Sequence, residues 1–315
     1  MIYKTVDTLP FSFSALGLRG WSDQADDRSD APVDSNELIA AVQTALELGI
    51  TYLEVFSSRT ASPSAEVFSK ALQGRRAEVV LAAVCGADAG HGAEGRLTRR
   101  DQIIAACESG LRVLRSERFD LFYCRWPDVS APLPEVTAAF EHLLARGEIA
   151  AAGLSHYGYE QISALRRSGP LHAVRSAINL LHPEDADDLI PYCKEHGIAV
   201  VASDPLSHNL LVSTPRESEI VRPQGSIKVM QGRRFEADRW AAERLSSIAQ
   251  ELNRTPAQLA INWVLGTAGV TTAATRAGRS SQVREHLDAL GWTIPDAAAA
   301  RIVDTLSERD RQLDR

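Results

Sequence analysis

The chain has 315 residues, with 34 Lys plus Arg against 41 Asp plus Glu, for a formal charge of −7. Hydrophobic residues at 44% and charged residues at 24% give the balance of an ordinary globular chain. That balance excludes a basic nucleic-acid surface and a polybasic membrane anchor, and no apolar run approaches the roughly 18 residues of a spanning helix. In chain order, a first strand is predicted over Ser14–Leu18. Asp34 then caps a helix with Leu38, Val42 and Leu46 on its stripe and Gly49 as its stop. Strands follow over Thr51–Val55 and Glu78–Val84, and Thr98 with Asp101 opens a helix carrying Ile104, Cys107, Leu111 and Leu114 on one face. Further strands are predicted over Phe119–Cys124, Ile149–Leu154, Ala173–Ile178 and Ile198–Ala202. A long Pro- and Ser-bearing connection, Pro205–Phe235, precedes two helices, the second opened by the capping box Thr255-Pro256 with Gln258. A last strand over Gly269–Ala273, a helix over Pro295–Leu306 and a polar tail, Glu308–Arg315, end the chain.

Eight strands alternating with helices predict an α/β fold, a (β/α)8 TIM barrel occupying residues 1–315 as one domain. The opening MIYKTVDTLP lacks the layout of a secretory signal. Four cysteines (Cys85, Cys107, Cys124, Cys193) without CxxC spacing read as reduced thiols, so a cytoplasmic location is expected. Among the basic residues, 30 are Arg and four are Lys: Lys4, Lys70, Lys194 and Lys228. All four lie outside the predicted strand ends, which argues against a Schiff-base mechanism.

Active sites of such barrels lie at the carboxyl ends of the strands. Here those positions hold Arg19-Gly20-Trp21, Glu54 and Arg59, Val84-Cys85, Arg125-Trp126, Ser155-His156-Tyr157, Asn179, Ser203-Asp204 and Thr275-Arg276. The runs ELIAAVQTALELGITYLEV, SAEVFSKALQGRRAEVVLAA, FDLFYCRWPD, RGEIAAAGLSHY and INLL with DDLIPYCKEHGIAVVASDPLSHNLL resemble the aldo/keto reductases, from Ser14 to about Leu287. The resemblance implies a barrel that transfers hydride from NADPH to carbonyls through an Asp-Tyr-Lys-His tetrad. Carried over residue by residue, those four positions hold Glu54, Arg59, Val84 and Arg125. Arginine keeps its proton and valine has none to give, so ordinary carbonyl reduction is not expected. Ser155 matches the serine that contacts the nicotinamide carboxamide. His156 stands at the usual asparagine, Arg175 at the glutamine and Ser203 at the stacking aromatic, while Arg276 and Arg279 match the contacts to an adenosine 2′-phosphate. NADP(H) therefore enters only through the resemblance, and weak or absent nucleotide binding is expected.

Two readings stand for Glu54: a general acid or base, or a salt bridge with Arg59 or Arg125. Arg19, Arg59 and Arg125 read as a clamp for a carboxylate or phosphate, because a guanidinium fork binds both bidentately. His156 beside Tyr157 is a candidate proton shuttle, with Tyr157 against the substrate. Trp21 and Trp126 would form the pocket's apolar wall. His156, His182 and His208 lie on successive connections, but no HxH or HExxH spacing supports a metal, and none is expected. Cys85 and Cys124 end adjacent strands and would meet near the rim. The leading expectation is elimination, dehydration or isomerisation of a small anionic metabolite, without net hydride transfer. An NAD(P)H-dependent oxidoreductase with a non-standard proton donor and a catalytically silent binding or scaffold protein are the alternatives. The expected partner is a small anion, not nucleic acid or membrane; the oligomeric state is left open.

Overall fold

Eight short runs of apolar and small residues supply the strands, and each is too apolar to lie at a surface. They are β3 (Leu16–Arg19), β4 (Tyr52–Phe56), β5 (Val80–Cys85), β6 (Leu121–Arg125), β7 (Ala152–Ser155), β8 (Ala173–Ser176), β9 (Ala199–Ala202) and β10 (Thr272–Thr275). In the computed structural model each pairs in parallel with the next, and β10 pairs with both β9 and β3, closing the barrel. The structure describes residues 1–20, 34–56, 63–86, 99–125, 133–183, 185–212 and 232–314. The helices there are α1 (Ser35–Glu47), α2 (Pro63–Ala71), α3 (Arg100–Leu114), α4 (Leu133–Ala145), α5 (Tyr159–Ser168), α6 (Asp185–Glu195), α7 (Arg233–Glu251), α8 (Pro256–Gly266), α9 (Ser280–Leu287) and α10 (Asp296–Asp314). Among the described residues no helix is long and apolar enough to cross a membrane.

The period of two along each strand divides the core. Outward residues pack under the helices in one large cluster; inward residues, including Tyr52, Val80, Ala82, Val84, Leu121, Tyr123 and Ala173, fill the barrel. Glycine makes room for the two large rings. A Cβ at Gly17 would lie 2.5 Å from the ring of Tyr52, and one at Gly153 would lie 2.5 Å from that of Tyr123. The barrel is thus a packed plug up to the level of those tyrosines, and polar side chains begin only above it.

An antiparallel hairpin that the periodicity did not disclose, β1 (Tyr3–Thr5) with β2 (Ser12–Ser14), covers the amino end. Phe13 reaches the interior cluster, with Val6, Leu9 and Phe11 behind it. Two expected caps are present. The Asp34 side chain accepts from the Asn36 amide at 3.1 Å, and Thr255 and Gln258 exchange bonds at 3.2 and 3.0 Å. The helix assigned to Thr98 instead starts at Arg100, where Gln102 accepts the Arg99 amide at 3.2 Å; Thr98 itself lies outside the described residues. The last strand sits two or three residues later than expected, at Thr272–Thr275, where it pairs with β3. The tail is also corrected: α10 runs through to Asp314, because Arg309 is buried there and pairs with Asp238 of α7 at 2.8 Å.

Candidate functional site

Register decides which side chains meet above the tyrosine layer. Arg19 pairs with Glu54 across β3–β4, Arg125 with Ser155 across β6–β7, and Ser155 with Arg175 across β7–β8. Glu54 lies two residues beyond Tyr52 and Arg175 two beyond Ala173, so both point inward. Glu54 is 0% exposed and Arg175 is 2% exposed. The Arg175 Nε donates to both Glu54 oxygens, at 3.0 and 2.9 Å, and the Tyr52 hydroxyl donates to Oε2 at 3.1 Å. The expected partner for Glu54 is therefore corrected: it is Arg175, reached directly across the barrel, not Arg125. Arg59 lies outside the described residues. Burial works against the Arg175 charge, and the Glu54 carboxylate outweighs it, holding the guanidinium above its ordinary pKa.

The network continues toward the rim. Arg175 Nη1 donates to the Ser155 hydroxyl at 3.0 Å, and that hydroxyl meets His156 Nδ1 at 2.9 Å. His156 stands in a left-handed conformation, φ 61°, where β7 gives way to its loop. Burial, and then the charges of Arg175, Arg125 and Arg19, drive its pKa down to about 2, so the imidazole is neutral at physiological pH. That environment weighs against its expected role as a shuttle near pH 7. Tyr157 is corrected as well. It turns into the layer between barrel and helices, buried, and its hydroxyl donates to Cys124 Sγ at 3.7 Å. Cys124 is the register partner of Cys85, so the two cysteines do meet, but in that buried outer layer. Hydrogen bonding to Cys124 and burial raise the Cys85 thiol, which keeps it protonated.

Above the network lies a cavity of about 70 Å³. Four guanidiniums line it, those of Arg19, Arg125, Arg175 and Arg276, and Phe56 supplies an apolar wall. Arg125 and Arg175 stand over the Phe56 ring, 5.8 and 6.0 Å from its centre. Ser203, Asp204 and His208 close the side formed by the β9 loop. Asp204 faces Arg19 at 3.8 Å and His208 at 3.3 Å. Arg19 loses some of its affinity for the proton through burial, which Asp204 opposes, and its Nε is buried with no hydrogen-bond partner. Arg279 is at the surface beside Glu37, at 3.3 Å, outside this cavity. Trp21 and Trp126 lie outside the described residues. His182 is drawn away to Asp238 at 3.2 Å, so it does not join His156 and His208.

Residues not singled out from the sequence as the site's working parts therefore shape it: Arg175, Phe56, Asp204 and His208. A signal existed for Arg175, a charge among the small residues of Ala173–Ser176, on the same face as Ala173. The nicotinamide end of NADP(H) does not fit these side chains. Ser155, its expected carboxamide contact, already bonds Arg175 and His156. Phe56 is covered by the guanidiniums of Arg125 and Arg175, and an oxidised nicotinamide would bring a positive ring against them.

The aldo/keto reductase family profile matches residues 15–306. Aldo-keto reductase YhdN of Bacillus subtilis is 26% identical over 302 residues, 93% of this chain and 90% of its own. The L-glyceraldehyde 3-phosphate reductase of Escherichia coli is 26% identical over 269 residues, 80% of this chain and 78% of its own. Among solved structures, a glycerol dehydrogenase from Gluconobacter oxydans superposes with a TM-score of 0.80 at 23% identity, over 98% of this chain and 95% of that one, a likeness of fold. Matched over nearly its whole length, the chain belongs to the aldo/keto reductase family.

Proposed function

We infer that this barrel binds a small anionic metabolite at its mouth and acts on it without net hydride transfer, by elimination, dehydration or isomerisation. The observation that carries the reading is the charge of the cavity wall. Four guanidiniums line it, those of Arg19, Arg125, Arg175 and Arg276, and of the carboxylates described there Glu54 pairs with Arg175 and Asp204 faces Arg19. The buried Arg19 Nε is a donor in want of an acceptor, and an anionic oxygen would supply one. A cavity of about 70 Å³ has room for a small ion, since about 10–15 Å³ of such space holds one water. The E. coli relative, by its name, acts on a phosphorylated three-carbon compound, a substrate of the same charge class.

The tetrad positions, read as Glu54, Arg59, Val84 and Arg125, hold no phenol and no lysine. In this reading Arg19, Arg125 and Arg276 orient the anion and stabilise charge that develops on it. Glu54 fixes Arg175 from below and does not reach the ligand. The names of the relatives favour a second reading, a surviving NAD(P)H-dependent oxidoreductase. The two separate in one set of titrations. Phosphate and malonate are expected to raise the melting temperature, and Arg125→Ala to abolish the rise. NADPH is expected to leave tryptophan fluorescence unchanged up to millimolar concentration. Quenching at micromolar NADPH, with no response to the acids, would establish the reductase instead.

A further inference from the structure

We propose that His208, held by Asp204 on the β9 loop, is the group that takes up and returns a proton at the barrel mouth, so that the site binds its anion together with one proton. The proposal rests on the anion-site reading above and names the acid–base group of that site. His208 lines the cavity, and its side chain is 47% exposed. Its Nε2 lies 3.3 Å from Asp204 Oδ2, and its backbone amide donates to both oxygens of the same carboxylate, at 3.3 and 3.1 Å. Asp204 is 8% exposed, so the carboxylate that orients the ring is fixed by the fold. A carboxylate against one imidazole nitrogen sets the tautomer and stabilises the imidazolium once formed.

The loop that carries the pair is built to hold it there. Ser207, His208 and Asn209 are all left-handed, with φ of 47, 51 and 70° and no glycine among them. Such a run is costly for side chains with a Cβ and persists where the surroundings impose it. Here Leu206, Leu210 and Leu211 are buried on either side and anchor the turn. Chain segments held against their preference cluster at functional sites.

No other described group at the cavity suits the task. Arg19, Arg125, Arg175 and Arg276 keep their protons. His156 is kept neutral by burial and by those same charges, Tyr157 faces away, and Glu54 lies beneath Arg175. The charged and titratable groups that face His208 are thus Asp204 beside it and, across the cavity, the four arginines and His156. An anion among the arginines offsets their repulsion of an imidazolium, and the imidazolium in turn holds the anion. The proton comes from solvent on binding and can pass to the ligand or return to solvent on release.

Sulfate is the probe, because its charge is constant between pH 5.5 and 8. Calorimetric titration in two buffers of different ionisation enthalpy is expected to show up to one proton taken up per sulfate. Affinity should rise as pH falls, by at most about tenfold per pH unit. His208→Gln is expected to flatten that dependence, and Asp204→Asn to displace it to lower pH. In the unaltered protein at constant pH, saturating sulfate should displace the His208 ring resonance, which answers the question without a substitution. Sulfate binding whose pH dependence survives His208→Gln, with an unmoved His208 resonance, overturns the role of His208 and leaves the anion site standing. No sulfate binding at any pH overturns the anion site itself.

Discussion

Two buried carboxylate–arginine pairs hold this molecule together, and their surroundings give them different work. Glu54–Arg175 spans the inside of the barrel, with 0% and 3% of the side chains exposed; Asp238–Arg309 joins α7 to α10, with 6% and 3% exposed. Both tie elements that are distant in sequence, and both are completed by a histidine, His156 through Ser155 in the first and His182 in the second. In the shell the pair is enclosed by protein: Arg309 also donates to the Leu181 carbonyl and reaches His182 Nδ1 at 3.3 Å. In the barrel one face of Arg175 is the floor of a cavity. An ion pair of the same chemistry is enclosed structure in one place and lines a cavity in the other.

The largest effect should come from Glu54→Ala. It strands the Arg175 charge in the barrel, and removing one partner of a buried pair costs about 3–5 kcal/mol. In urea unfolding the midpoint should fall steeply, and replacing both partners, Glu54→Leu with Arg175→Met, should recover most of the loss. Whatever fraction of Glu54→Ala folds should bind sulfate more tightly than the unaltered protein, because Arg175 is no longer neutralised. Weaker sulfate binding would mean that Glu54 serves the ligand directly. Asp238→Ala is the matching change in the shell. It is expected to cost about 3 kcal/mol by the same reasoning and to leave sulfate affinity unchanged. A change in affinity there would erase the distinction between the two pairs.

How much of this was legible follows from the range of the interactions. The strand positions, the Asp34 and Thr255 caps and the family motifs are local, and each appears close to where the sequence places it. Glu54 and Arg175 are 121 positions apart and meet only because the barrel closes, so nothing near Glu54 in the chain points to this partner. Tyr157 was misdirected by a single dihedral angle: at φ 61° His156 turns the chain, so the next side chain faces the shell. The polar tail after Leu306 looks like an end with nothing to bury. It is helical because Arg309 finds Asp238, 71 residues earlier by number, on α7. In each case the missing information is tertiary, a partner or a turn that hydrophobic period does not encode.

The smallest effect concerns pH and tests whether burial, with the arginines around it, silences His156. Its pKa is about 2 in the fold against an ordinary 6.5. Below about pH 6.5 the unfolded chain therefore binds a proton that the folded chain refuses. The sign follows: stability is lost as pH falls from that value toward 2, at up to about 1.4 kcal/mol per pH unit for one group. His286, buried and lowered to about 4, adds to the same loss over the upper part of the range. His156→Asn removes the first contribution while keeping a residue that tolerates the left-handed backbone. Urea midpoints at pH 7 and pH 5 should therefore differ less in this variant than in the unaltered protein. Asp238→Ala, which does not touch the mouth, should leave the His156 contribution in place. If the pH slope of His156→Asn matches that of the unaltered protein, burial among the arginines does not hold His156 neutral.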